Sequence, residues 1–275
     1  MTWRRLPITR IDAFADRPFT GNPAAVMPLD EWLSDAMLLA MAAENNLSET
    51  AFLIPDDSDE ADYELRWFTP QVEVALCGHA TLASGHMLLS AAPWRDAMNF
   101  RTRKAGILTI ARASNDDVDD SYRMTLPAFP PMARPLPDIA RAVGGSPVET
   151  LWHDGGYALL AYASAAEVRA LAPDMAMLRA LGEVQAIATA PGKDDPAGTD
   201  VVSRVFVPGA GVDEDPVTGS AHCVLTPYWA VRLNRDRFTA FQASARGGHV
   251  GCRLDGDRVE LAGRCVTTLV GEFLL

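Results

Sequence analysis

A five-residue pattern occurs twice in this chain, and each copy is followed by the same kind of segment. Arg66-Trp67-Phe68-Thr69-Pro70 and Arg204-Val205-Phe206-Val207-Pro208 both read Arg-x-Phe-x-Pro at the end of a strand-like run. Gly78 opens a helix-like segment eight residues after Pro70, and Gly219 opens another eleven residues after Pro208. A pentapeptide alone recurs by chance. A pentapeptide followed by the same loop-to-helix order points to two copies of one α+β unit. Length agrees: 275 residues is about twice the usual single-domain size.

Local patterns fill in the units. ITRIDAF (8–14), ETAFLIP (49–55) and YELRWF (63–68) read as strands, the last with Tyr63, Leu65 and Trp67 on one face. Leu29 to Asn45 reads as a helix with loose apolar spacing, and CGHATLASGHMLLSA (77–91) as a helix that opens at glycine. YALLAY (157–162), VQAIATA (184–190) and DVVSRVFVP (200–208) are further strands, and Gly219 to Trp229 is a helix. Three or four strands close the chain, two of them joined by a tight Asp255-Gly256-Asp257 turn. The proline-dense PAFPPMARPLP (127–137) is the best candidate for a linker or domain edge. It divides the chain into domains 1–130 and 131–275, with a return of the final strand to the first domain left open.

The glycine-started helices suggest where chemistry sits. The first N–H groups of a helix point outward with partial positive charge, and glycine lets a ligand approach the backbone closely. Taken singly, Gly78 and Gly219 are helix-boundary residues. As a repeated pair, facing each other across a cleft, they would make two anion sites. Asp215, Thr218 and Ser220 surround the second start, where such residues often serve as caps. Glu49 ends the polar NNLSET stretch and precedes the apolar run AFLI. A carboxylate in a buried setting gains a raised pKa and can exchange protons near neutrality. On spacing alone a solvated charge is the commoner outcome. His79 lies one residue into the first helix start, where a lone histidine is more often structural. Cys77 precedes that start, where a thiol pKa is lowered.

Several function classes lose support. The net charge of −12 and pI near 4.8 repel phosphate backbones and anionic membranes. No GxxxxGK[ST] or strand-linked GxGxxG appears, so a nucleotide cofactor has no motif. Cys77, Cys223, Cys252 and Cys265 form no CxxC pair and no zinc spacing, so no metal is expected. The start MTWRRLPITRIDAF lacks a signal-type apolar stretch, and no apolar run reaches a membrane span. A cytoplasmic protein with reduced thiols is expected.

Four separated motifs then coincide with one family. IDAFADRPFTGNPAAV (11–26), AAENNLSETAFLI (42–54), RWFTPQVEVALCGHATLASGHML (66–88) and DEDPVTGSAHCVLTPYW (213–229) resemble the phenazine-biosynthesis PhzF-like proteins, in the same order. The tail ARGGHVGCRL (245–254) is a looser match. The resemblance implies the diaminopimelate-epimerase-like fold: α+β, two pseudo-symmetric domains, each a curved, mostly antiparallel sheet around a central helix. It implies a cofactor-free isomerase that shifts a proton on a small substrate, here expected to bear a carboxylate, and a homodimer.

By the same resemblance Glu49 is the general acid/base, and His79, Asp215 and Ser220 line the cleft. Asn22 and Ser48 join the backbone at Gly78 and Gly219 in holding the substrate. Related epimerases and racemases carry a cysteine before each helix-start glycine. Cys77 fits the first position; Thr218 takes the second and cannot titrate near neutral pH. A one-faced isomerisation by Glu49 therefore ranks above an epimerase or racemase using Cys77, and above a non-catalytic binding protein of the same fold.

Overall fold

In a computed structural model of the chain, residues 4–113 and 121–275 are described; the first three residues of the N-terminal segment weighed as a leader lie outside them. The chain divides into two compact units, residues 1–125 with 262–275, and residues 126–261.

The first unit runs β1 (Arg5–Ala13), β2 (Asn22–Pro28), α1 (Asp35–Asn45), β3 (Glu49–Pro55), β4 (Tyr63–Phe68), β5 (Glu73–Val74), α2 (Gly78–Ala91), β6 (Ala97–Thr102), β7 (Ile107–Arg112) and β8 (Tyr122–Pro127). The second runs β9 (Met132–Ala133), α3 (Pro137–Val143), β10 (Glu149–His153), β11 (Tyr157–Ala161), α4 (Ala165–Ala170), α5 (Met175–Ala180), β12 (Gln185–Pro191), β13 (Val201–Val207), β14 (Val212–Asp215), α6 (Gly219–Leu233), β15 (Arg237–Gln242), β16 (Gly248–Asp255) and β17 (Arg258–Gly263). The last strand, β18 (Cys265–Leu274), pairs antiparallel with β1.

Strand order repeats between the units. In the first it is β18-β1-β2-β3-β4-β6-β7, parallel at β2–β3 and β4–β6 and antiparallel elsewhere. In the second it is β9-β10-β11-β12-β13-β15-β16, parallel at β11–β12 and β13–β15 only. Each parallel step needs a crossover. In the first unit α1 and α2 supply them; in the second, α4 with α5, and α6.

Helix α2 packs against β1, β2, β3, β6, β7 and β18, so the sheet curves around it. Its first eight residues, Gly78 to Gly85, are all buried, as a helix without a solvent face must be. At Gly85 an added Cβ would lie 2.4 Å from Ile110 Cγ2, so glycine lets α2 sit directly on β7. On the other face of the sheet, α1 covers Met27, Phe52 and Phe68. The second unit has the same arrangement, with α6 against β11 and β16 and Phe206, Val202 and Ala188 packed with the short helices.

The repeated pentapeptides form matching clamps. Arg66 Nε and Nη2 donate to the two carboxylate oxygens of Glu73 on β5, both at 2.8 Å. Arg204 makes the same bidentate pair with Glu214 on β14, at 2.8 and 2.9 Å. Each guanidinium stacks 4.9 Å from the phenylalanine two residues on, Phe68 or Phe206. Arg66 is 2% exposed; its fork geometry and flat face are what make burial of the cation tolerable.

One expectation about an element is corrected. The helix expected from Leu29 begins at Asp35: Leu29 N–H continues the β2–β3 ladder to Leu53 O at 2.8 Å, and Ser34 caps the helix by accepting from Met37 N–H. The proline-dense 127–137 stretch, expected as a linker or domain edge, begins just past the boundary between the units at Thr125 and Leu126. It holds β9 and opens α3 at Pro137. Pro227 lies inside α6 and cannot donate to Cys223 O; Phe129 N–H, from the proline-dense stretch, donates to that carbonyl at 2.9 Å. No helix among the described residues is long and apolar enough to cross a membrane.

Candidate functional site

In the first unit the NNLSET motif turns the chain from α1 into β3. Asn46 closes α1 in the left-handed conformation (φ 47°, ψ 42°), its N–H bonded to Ala42 O, as short polar asparagine permits. Asn45 Nδ2 donates to Thr50 Oγ1 at 3.1 Å and Ser48 Oγ to Asn22 Oδ1 at 3.2 Å. Asn22 opens β2 and is fully buried. Glu49 is the first residue of β3, beside Ala24 of β2 in parallel register. Its side chain is 19% exposed.

Helix α2 brings two more groups to Glu49. His79 is 4% exposed, and its Nε2 lies 3.2 Å from Glu49 Oε2. Its Nδ1 lies 3.5 Å from Cys77 Sγ. Burial pulls the His79 imidazole down to about 3, so it stays neutral at pH 7 and carries a proton on one nitrogen only. The ring thus lies between a thiol and a carboxylate, and its 3.2 Å approach to Glu49 Oε2 is a close contact outside hydrogen-bond geometry. Donor atoms of Glu49, Cys77 and His79 lie within 4.8 Å of one another, a convergence that the sequence spacing did not show.

Neither glycine-started helix is capped by a side chain. The N-cap residues Cys77 and Thr218 make no side-chain cap hydrogen bond, and neither first turn carries an acidic residue. By contrast α1, α4 and α5 are capped by Ser34, Ser164 and Asp174. The capping role weighed for Thr218 is therefore corrected. Thr218 Oγ1 turns away and donates to Asp215 Oδ2 at 2.5 Å.

In the second unit a group missed by sequence reasoning organises this turn. Gln242, fully buried, donates through Nε2 to Asp215 O at 2.7 Å and Thr218 Oγ1 at 3.1 Å, and accepts Thr218 N–H at 2.9 Å. A signal was present: Phe238 and Ala240 are the inward residues of β15, and Gln242 shares their parity. Ser220 Oγ donates to Gln185 Oε1 at 3.2 Å and also bonds Tyr157, whose phenol is raised chiefly by burial. His222, one turn into α6, is fully buried with Nδ1 2.8 Å from Thr218 O. Accepting by that carbonyl places the ring proton on Nδ1. Burial holds His222 down at about 4. Cys223 sits one turn into the helix against Gly219 O, and burial pushes its thiol up to about 12.

The sequence profile of the phenazine biosynthesis-like proteins matches residues 11–271. A Pseudomonas aeruginosa protein described as an uncharacterized isomerase is 46% identical over 275 aligned residues, covering 98% of this chain and 99% of its own. The crystal structure of a phenazine biosynthesis protein of the PhzF family from Enterococcus faecalis superposes with a TM-score of 0.87 at 36% identity, covering 99% of this chain and 100% of that one. A hydroxyproline epimerase from Agrobacterium vitis, at 14% identity, TM-score 0.59, and coverage of 99% and 93%, shares the fold alone. The chain belongs to the phenazine biosynthesis-like, PhzF-type family of isomerases, with the epimerase-like α+β fold of that family.

Proposed function

We propose that this protein is a cofactor- and metal-independent isomerase that moves a proton within a small, carboxylate-bearing unsaturated substrate, with Glu49 as the acid/base. The observation that carries the reading is the Glu49 carboxylate held 3.2 Å from a buried imidazole beside an uncapped helix start. A carboxylate so placed can take a proton from carbon and return it.

Backbone N–H groups at Gly78–His79 and at Gly219–Ser220 are assigned to substrate carboxylate and to the delocalised anion, as oxyanion-type donors. Asp215 is proposed as a second acid and Ser220 as a substrate contact. Ser48 is proposed to touch substrate, and Asn22 to support it from behind through their hydrogen bond. Thr218 stands where a two-thiol epimerase carries its second cysteine, which favours proton shift over epimerisation. A homodimer, suggested by the family resemblance, is part of the proposal and is checked by light scattering.

The test is solvent-deuterium incorporation into a panel of unsaturated ring acids, followed by mass spectrometry and NMR. Isomerisation with deuterium uptake, without optical inversion, is expected. Optical inversion would favour the epimerase reading. Binding of panel ligands without exchange would favour a non-catalytic protein.

A further inference from the structure

We propose that the second unit binds one buried water molecule under α6, held between His222 Nε2 and Ser203 Oγ, and that this water braces the turn where Gly219 opens the helix. The site is independent of the proton-shift reading above.

Two side chains point to it. His222 and Ser203 are both fully buried, and neither His222 Nε2 nor Ser203 Oγ has a hydrogen-bond partner among the described residues. Such atoms are costly, and native structures keep few of them.

The fold sets the two groups opposite each other. Ser203 lies on β13 between its antiparallel partner Thr189 of β12 and its parallel partner Gln242 of β15. Residues paired in register share a face of the sheet, so the three side chains form a row about 10 Å long. That row faces α6: Thr189 Oγ1 accepts from Trp229 Nε1 at 3.0 Å, and Gln242 bonds Thr218 at the helix start. The alternate residues of β13, Val202 and Phe206, pack on the opposite face with the short helices. Helix α6 therefore runs over the row from Gln242 toward Thr189. His222 lies one turn after Thr218 and two turns before Trp229, on the same stripe of the helix. Its ring comes down over the middle of the row, which is Ser203.

The first unit supplies a comparison. Aligning the two Arg-x-Phe-x-Pro repeats sets Leu65 against Ser203, and aligning the helix-start glycines sets Thr81 against His222. Thr81 Oγ1 donates to Cys77 O at 2.6 Å, as His222 Nδ1 does to Thr218 O at 2.8 Å. A threonine hydroxyl suffices for that bond. The second unit has instead a ring with a further nitrogen, and a hydroxyl in place of a leucine. The two added polar atoms are the two without partners.

The donor and acceptor pattern selects water. Nδ1–H is committed to Thr218 O, so Nε2 is bare and only accepts. A water donates one hydrogen to Nε2 and accepts the Ser203 hydroxyl proton. Thr189 Oγ1 donates to Val202 O at 2.9 Å and accepts from Trp229, which leaves it one lone pair for the water's second hydrogen. Three such partners are what a buried water ordinarily has. A cation is disfavoured: the cluster of three metal-ligating side chains found among the described residues lies in the first unit. His222 and Ser203 are thus positioning residues. The braced ring holds Thr218 O, and with it the first N–H groups of α6.

The experiment is a high-resolution crystal structure of the protein, joined to urea unfolding of Ser203→Ala. Density for a water within about 2.7–3.2 Å of both Nε2 and Oγ is expected. No density there, or a direct bond from Ser203 Oγ to His222 Nε2, overturns the proposal. The unfolding result has a sign. A hydroxyl bonded to water loses that bond in Ser203→Ala, and the urea midpoint is expected to fall. A hydroxyl with no partner is relieved by its removal, so a midpoint that holds or rises also overturns the proposal. Should Ser203→Ala fail to fold, the wild-type density decides alone.

Discussion

Replacing Glu49 by Gln and by Asp separates what its proton does from where its oxygen sits. Gln preserves length and shape but cannot titrate. General acid/base help is worth about 10²–10⁴-fold, or about 3–5 kcal/mol of barrier, and Glu49→Gln is expected to lose at least that. Asp keeps the titration but withdraws the carboxylate by one carbon–carbon bond, about 1.5 Å. The 3.2 Å approach to His79 Nε2 would then open to about 4.5 Å. Misplacement by about 1 Å can cost about 10²-fold, so Glu49→Asp is expected to fall by about 10². Neither change should alter stability by more than about 1 kcal/mol, because the side chain is partly solvated and its neighbour is uncharged. The assay is the rate of solvent-deuterium uptake by a panel substrate, with urea unfolding as the control. A Gln variant that exchanges at the wild-type rate refutes Glu49 as the acid/base. An Asp variant at full rate refutes the argument from position.

Lowering the pH from 7.5 to 5 should destabilise each unit: the folded histidines stay neutral, with His79 at about 3 and His222 at about 4 against 6.5 unfolded. The unfolded chain then binds more protons, and stability present above about pH 7 falls by about 2 kcal/mol per histidine at pH 5; urea unfolding that changes by less than about 1 kcal/mol would contradict this. Gly85→Ala drives a Cβ to 2.4 Å from Ile110 Cγ2 and should cost about 1–3 kcal/mol by overpacking, with partial recovery in the Gly85→Ala, Ile110→Ala double variant by thermal melting. Arg66→Lys removes the bidentate fork to Glu73 and should lower stability by about 1–2 kcal/mol, read by the same melt. Exchange activity should survive dialysis against a chelator; its loss, with recovery on adding a divalent metal, would overturn the metal-free reading.

What could be read in the residues follows from how far each signal reaches along the chain. Strands at 49–55 and 63–68 and helices opening at Gly78 and Gly219 depend on local alternation and on glycine, and they lie where the patterns put them. The Arg-x-Phe-x-Pro repeat was visible, but the bidentate carboxylate partners were not: Glu73 follows Arg66 by seven residues and Glu214 follows Arg204 by ten, so no common spacing marks them. The start of α1 was misplaced because Leu29 has a partner in a different strand, a long-range hydrogen bond that outweighs local helical spacing.

The sequence by itself determined that two α+β copies exist, that each holds a glycine-started helix, and that Glu49 stands at a helix-to-strand turn. Only the tertiary structure decided that Glu49 meets His79, across a separation of thirty residues in the chain. It alone decided that Gln242 locks the turn at Asp215 and Thr218, and that β18 returns to β1. The physical reason is common to all of these. Propensity and periodicity act over a few residues, whereas a buried polar group takes whichever partner the fold brings within hydrogen-bond reach, because burial without one costs about 1–3 kcal/mol.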